Sequence, residues 1–159
     1  MRYAQANYPD DKLVLYGHSL GGSIAIHVLS EAVKRKGKRI DGLILENPLP
    51  SIPWMVQSLY PQKWLPYHYL GGLAFDRWDT FPILAKQLIE PERILWVRSK
   101  NDEIVPRSNK QGEGVEGMYD LAGGKFVELD ALHDNAYRER RWKLEIREFL
   151  SKLTLQSNP

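Results

Sequence analysis

Leu13-Val14-Leu15-Tyr16-Gly17-His18-Ser19-Leu20-Gly21-Gly22 carries a short apolar, strand-like run straight into a G-x-S-x-G sequence. Beyond it, Ile24, Ala25, Val28, Leu29, Ala32 and Val33 recur at helical spacing, and Gly37 closes the segment after a basic last turn. The order is therefore strand, sharp turn, helix. A turn that tight forces its central residue into strained backbone geometry and needs glycine or a small residue on either side, which Gly17, Gly21, Gly22 and Ser23 supply. It lifts the Ser19 hydroxyl above the end of the strand and leaves the backbone N–H of Leu20, at the start of the helix, facing any anion that forms beside it.

Three more strand-like runs follow: Leu43 to Leu45 with its flanks, Ile94 to Val97, and Phe126 to Leu129. Longer segments separate them, and the last leads into a helix from about Asn135 whose Trp142, Ile146, Phe149, Leu150 and Leu153 form one apolar face. Alternation of this kind predicts an α/β fold with four parallel strands and flanking helices. Between the second and third strands the texture changes. Residues 48–82 hold six of the ten prolines and eight of the seventeen aromatic residues, and read either as an excursion packed on the core or as a lid over a substrate. Trp54 and Trp64 are its candidates for lining a substrate. Five glycines between Gln111 and Gly124 predict at most a weak helix there. The expected organisation is a single domain over 1–153 with 48–82 as a lid-like excursion, and a polar tail over 154–159.

Composition narrows the function. The 159 residues are 43% hydrophobic and 26% charged with a net charge of +2, and apart from Lys34 to Arg39 the basic residues are scattered, so a nucleic-acid partner is not expected. No cysteine is present, which removes thiolate nucleophiles, disulfides and Cys-ligated zinc. Four dispersed histidines make no metal set, and no apolar run approaches the roughly 18 residues of a membrane span. The chain as it stands is expected to be soluble and to use no metal.

A serine hydroxyl is a poor nucleophile near neutral pH and needs a base within hydrogen-bond reach, itself oriented by a carboxylate. Asp102 follows the third strand in Ser99-Lys100-Asn101-Asp102-Glu103-Ile104-Val105-Pro106, and His133 follows the fourth in Leu129-Asp130-Ala131-Leu132-His133-Asp134-Asn135. Nucleophile, acid and base in that chain order, each after a strand, make Ser19, Asp102 and His133 the candidate triad. Each residue has a plainer reading. Ser19 could be a helix cap, His133 a surface histidine, and Glu103, Asp130 and Asp134 compete for the acid role, although the last two share His133's own loop and are poorly placed to orient its ring. His18, inside the turn, could shape the entrance or serve packing. His27 reads as helix surface or packing, and His68, between Tyr67 and Tyr69, as a residue without a role rather than as part of a lid lining.

With these residues in view, the chain resembles the α/β-hydrolase superfamily, and within it the Bem-like α/β-hydrolase-domain proteins related to serine aminopeptidases and prolyl-oligopeptidase-type enzymes. The resemblance rests on Leu15 to Gly22, on Glu46-Asn47 with Ser51-Ile52-Pro53, on Asp102 with Val105-Pro106, and on His133-Asp134-Asn135. It implies an eight-stranded sheet, no cofactor, and acyl transfer to water. Relatives carry further strands and an oxyanion loop before the turn, so the chain reads as the C-terminal part of such a fold, N-terminally truncated. The expected activity is hydrolysis of a carboxylic ester or acyl thioester through an acyl-enzyme on Ser19. Its partner would be a small-molecule or lipid-like acyl substrate, or an acylated protein. A peptidase or amidase of the same fold, or a non-catalytic fragment acting through an exposed sheet edge, are the alternatives. Some relatives remove fatty acyl groups from proteins, and many are tethered by an N-terminal membrane helix.

Overall fold

A computed structural model describes residues 2–36, 39–64, 66, 75–107 and 112–155. Four strands, β1 (Val14–His18), β2 (Gly42–Glu46), β3 (Ile94–Ser99) and β4 (Lys125–Leu129), form one sheet in the order β1-β2-β3-β4. All three pairings are parallel, with Gly17 opposite Leu45, His18 opposite Glu46, and Ser99 opposite Leu129. Among the described residues six α-helices connect or flank them: α1 (Arg2–Asn7), α2 (Leu20–Lys34), α3 (Ile52–Leu59), α4 (Phe81–Leu84), α5 (Gly114–Ala122) and α6 (Arg140–Leu155). The predicted α/β architecture is therefore the observed one.

Alternation along the strands divides the core between the two sheet faces. Leu43, Leu45, Ile94 and Trp96 pack with Ala25, Ile26 and Leu29 of α2 and Val115 and Met118 of α5. Ile44, Leu95, Val97 and Val127 pack on the other side with Phe149 and Leu153 of α6. Both central strands are buried along their whole length, so the residues that follow them leave the sheet at a fixed height. That height is where the chemistry-bearing loops begin.

Several boundaries differ from the sequence reading. The helix expected from about Asn135 starts as a 3-10 turn over Ala136–Arg138, and α6 begins only at Arg140 and runs to Leu155, beyond the expected end at Leu153. The glycine-rich stretch does form a helix, α5, because its glycine is a packing requirement: a Cβ at Gly117 would lie 2.3 Å from the backbone carbon of Gly112. Close approach there outweighs low helix propensity. Helix α1 had no signal in the sequence pattern. No helix among the described residues is long and apolar enough to cross a membrane.

The aromatic excursion has a narrow neck. Thr80 donates from both its N–H and its hydroxyl to the Pro50 carbonyl, at 3.1 and 2.8 Å, and the Ile52 N–H donates to the Arg77 carbonyl. Ser51 caps α3 by accepting from the Trp54 N–H at 3.2 Å, and His27 of α2 contacts the returning chain through the Asp79 carbonyl and the edge of Trp78. His68 lies outside the described residues.

The turn after β1 depends on glycine at two of the expected positions. A Cβ at Gly17 would fall 2.3 Å from the Gly21 carbonyl oxygen, and one at Gly22 would fall 2.7 Å from the Pro48 Cβ. Gly21 differs from expectation, since a Cβ there meets nothing within 4 Å. Gly17→Ala is accordingly expected to destabilise by about 1–3 kcal/mol, the range for overpacking. Gly21→Ala is expected to be neutral or to stabilise by up to about 1 kcal/mol. Urea unfolding of the two variants checks the contrast, and equal effects would contradict it.

Candidate active site

Ser19 sits between β1 and α2 with φ 54° and ψ −125°. Positive φ at a residue with a side chain is strained, on the order of 1–3 kcal/mol, and persists only where its surroundings hold it. They do so here through two backbone bonds of 2.9 Å, from the Ser19 N–H to the Glu46 carbonyl and from the Gly22 N–H to the Ser19 carbonyl. Beneath the turn, Ser23 of α2 donates its hydroxyl to the Leu49 carbonyl at 2.6 Å. The Leu20 N–H opens α2 and has no intrahelical partner by position.

Asp102 and His133 meet in the buried interior of the same sheet edge. His133 is 4% exposed, and its Nδ1 lies 2.9 and 3.0 Å from the two carboxylate oxygens of Asp102, which requires a proton on Nδ1; in the neutral ring Nε2 then carries the lone pair. The carboxylate also accepts from the N–H groups of Ile104 and Val105 at 2.9 and 2.7 Å and from Arg98 Nη1 at 3.2 Å. Burial alone would push the Asp102 carboxyl up. The hydrogen bonds from His133, Val105 and Ile104 outweigh it and hold the group below its ordinary value.

The other carboxylates weighed for the acid role go elsewhere. Glu103 accepts the backbone N–H of His133 at 3.1 Å, Asp130 accepts from the Asn101 side chain at 2.7 Å, and Asp134 is exposed. Asp102 is the carboxylate facing the imidazole ring. His18 is joined to His133 directly, with its Nε2 2.8 Å from the His133 carbonyl and the ring centroids 4.8 Å apart. Among the described residues the Ser19 hydroxyl has no hydrogen-bond partner, so Ser19 is brought to this edge by the turn rather than by a bond to His133. Trp54 packs against the core, whereas Trp64 is 81% exposed.

Two residues at this edge carried no role in the sequence reading. Arg98 is 1% exposed and spans Asp102 and, through Nη2 at 2.7 Å, the Val105 carbonyl. A charged residue in an otherwise apolar strand was its signal. Asn47, noted only as part of the Glu46-Asn47 pair, is fully buried and contacts Ser99 and His133.

Comparison with known proteins follows the same lines. The sequence model of the family described as serine aminopeptidase, S33, matches residues 1–105. The protein Bem46 of Schizosaccharomyces pombe is 32% identical over 100 residues, covering 60% of this chain and 29% of that protein. An esterase of Pyrococcus furiosus superposes with a TM-score of 0.60 at 18% identity, over 95% of this chain and 58% of the other. Human thioesterase 2 gives a TM-score of 0.57 at 14% identity, over 99% and 80%. The chain thus spans under a third of Bem46 and somewhat over half of the archaeal esterase.

Because its folded carboxyl is the more acidic, Asp102 contributes stability that is fully present above the ordinary carboxylate value of about 3.9 and is lost as pH falls through its lowered one. The stability advantage of the native chain over Asp102→Asn, measured by urea unfolding, should therefore narrow as pH drops from about 5 to about 3. A difference that stays constant over that range would contradict the assignment.

Proposed function

The chain belongs to the serine aminopeptidase S33 family of α/β hydrolases, and on that premise we propose that it is a serine hydrolase acting through an acyl-enzyme on Ser19. The observation that carries the reading is the buried His133–Asp102 pair, with both carboxylate oxygens on Nδ1, opening at the same sheet edge as a serine held at positive φ. Ser19 Oγ attacks the substrate carbonyl while His133 Nε2 takes its proton. Asp102 stabilises the imidazolium that results, and the Leu20 N–H donates to the developing oxyanion. Collapse of the tetrahedral adduct passes the proton from His133 to the leaving group and leaves the acyl group on Ser19. Water, deprotonated by His133, then releases the acid. Serine–base hydrogen bonds are commonly long until the substrate is bound, so the unbonded Ser19 hydroxyl is compatible with this course.

The leaving group is assigned to an alcohol or thiol. Aromatic residues are concentrated in 48–82, the stretch of sequence that follows β2, and they suit an apolar acyl chain better than a peptide backbone that must be hydrogen-bonded. The peptidase reading has the family description on its side, so substrates of both classes belong in the test. With p-nitrophenyl acyl esters, an acyl thioester and an aminoacyl anilide, the esters and thioester are expected to turn over faster than the anilide. Ser19→Ala and His133→Ala should each lower kcat/KM by about 10³-fold or more, and Asp102→Asn by less than Ser19→Ala. Turnover unchanged in Ser19→Ala would overturn the proposal, and a preference for the anilide would replace the esterase reading with the peptidase one.

A further inference from the structure

His133 is held by much more than its acid. Its backbone N–H donates to Glu103 Oε2 at 3.1 Å, its ring Nδ1 faces Asp102, and its carbonyl oxygen receives two donors, Asn47 Nδ2 at 2.8 Å and His18 Nε2 at 2.8 Å. Only ring Nε2 is left without a partner among the described residues. Every other polar atom of the residue is fixed.

Of the two donors on that carbonyl, Asn47 reaches furthest through the fold. It follows β2 with φ 43°, its N–H donates to the Val97 carbonyl at 2.9 Å, and its Oδ1 accepts the Ser99 N–H at 2.7 Å. Since Oδ1 accepts from a backbone N–H, the amide orientation is determined, and both Nδ2 protons are spent, one on Ser99 Oγ at 2.9 Å and one on the His133 carbonyl. One buried amide thus joins the end of β2, the end of β3 that leads to Asp102, and the loop that carries His133. His18 adds a tie from the nucleophile turn itself, being the residue immediately before Ser19.

We infer that Asn47, with His18 as its second donor, is the positioning residue of the reaction: together they fix His133 by its main-chain carbonyl, so that Nε2 stands at the height of Ser19. This rests on the hydrolase reading above. Neither residue touches the reacting atoms. A displacement of about 1 Å between nucleophile and base can cost about 10²-fold in rate, so loss of the clamp should act on kcat and leave KM nearly unchanged.

The test combines kinetics with the NMR signal of the His133 Nδ1 proton, which reports the His133–Asp102 contact whether or not the chain turns over substrate. Asn47→Gly removes the clamp while relieving the positive φ, and should lower kcat by about 10- to 100-fold with KM within about threefold. The Nδ1 proton should then exchange faster than in the native chain. His18→Gln keeps an amide donor near the position of Nε2 and should stay close to native in both readouts, whereas His18→Leu should lose kcat and speed exchange. If Asn47→Gly does not fold, the His18 pair decides the matter. Native kcat and native exchange in Asn47→Gly or His18→Leu would overturn the inference, as would equal behaviour of His18→Gln and His18→Leu. Absence of any Ser19-dependent hydrolysis in the native chain would instead sink the hydrolase reading, with proton exchange still judging the clamp.

Discussion

Backbone meets backbone where β1 turns into α2, and the approach is close enough that no side chain fits between. The space a Cβ would need at Gly17 is occupied by the carbonyl of Gly21, and the space at Gly22 by Pro48. This contact sets the angle at which α2 leaves the sheet, and with it the exposure of Ser19. The positive φ of Ser19 is the local consequence, and its N–H bond to the Glu46 carbonyl extends the parallel ladder one residue past the strand. Because β2 and β3 are buried along their lengths, Asn47 and Ser99 then emerge at matching heights. The rest of the site is built on that edge.

Electrostatics at the edge follow a single logic. A carboxylate whose side chain is wholly buried would normally take up a proton, but Asp102 accepts two backbone N–H groups and the His133 ring, and the guanidinium of Arg98 lies 3.2 Å away. Such a buried ion pair is weak evidence for stability, since desolvation of both charges offsets their attraction. Its value is positional. The hydrogen bonds from His133, Val105 and Ile104 keep Asp102 ionised against its burial, and an ionised Asp102 keeps the His133 proton on Nδ1. On the other face of the sheet, Glu46 accepts from Tyr16 and Trp142, both at 2.7 Å, tying α6 to β1 and β2. Burial first and then the neighbouring carboxylate push the Tyr16 hydroxyl well above its ordinary range, so it remains a donor.

Legibility of this molecule in its sequence tracked how local each constraint is. The turn was readable because glycine spacing between a strand run and a helical face is a contiguous pattern, and Asp102 and His133 were readable because each follows a strand within a few residues. Their meeting required the parallel order of four strands, which alternation along the chain also supplies. Arg98, Asn47 and the acceptor role of Glu103 were not assigned, since each depends on contacts across residues distant in sequence that no periodicity records. The glycines between Gln111 and Gly124 predicted at most a weak helix; α5 forms there, and one of them is the residue that lets it pack, because Gly117 abuts Gly112. Propensity is a weak prior where two backbones touch.

The central claim is that Ser19 becomes acylated, and the direct measurement is to trap and map the adduct. The chain is mixed with a slowly hydrolysed acyl ester, quenched in acid and digested with trypsin, and the peptide Leu13–Lys34 is sequenced by mass spectrometry. The account predicts one acyl group on Ser19, absent from Ser23 and Ser30 of the same peptide and lost in His133→Ala. An acyl group on another residue, or one that forms equally well without His133, would contradict it.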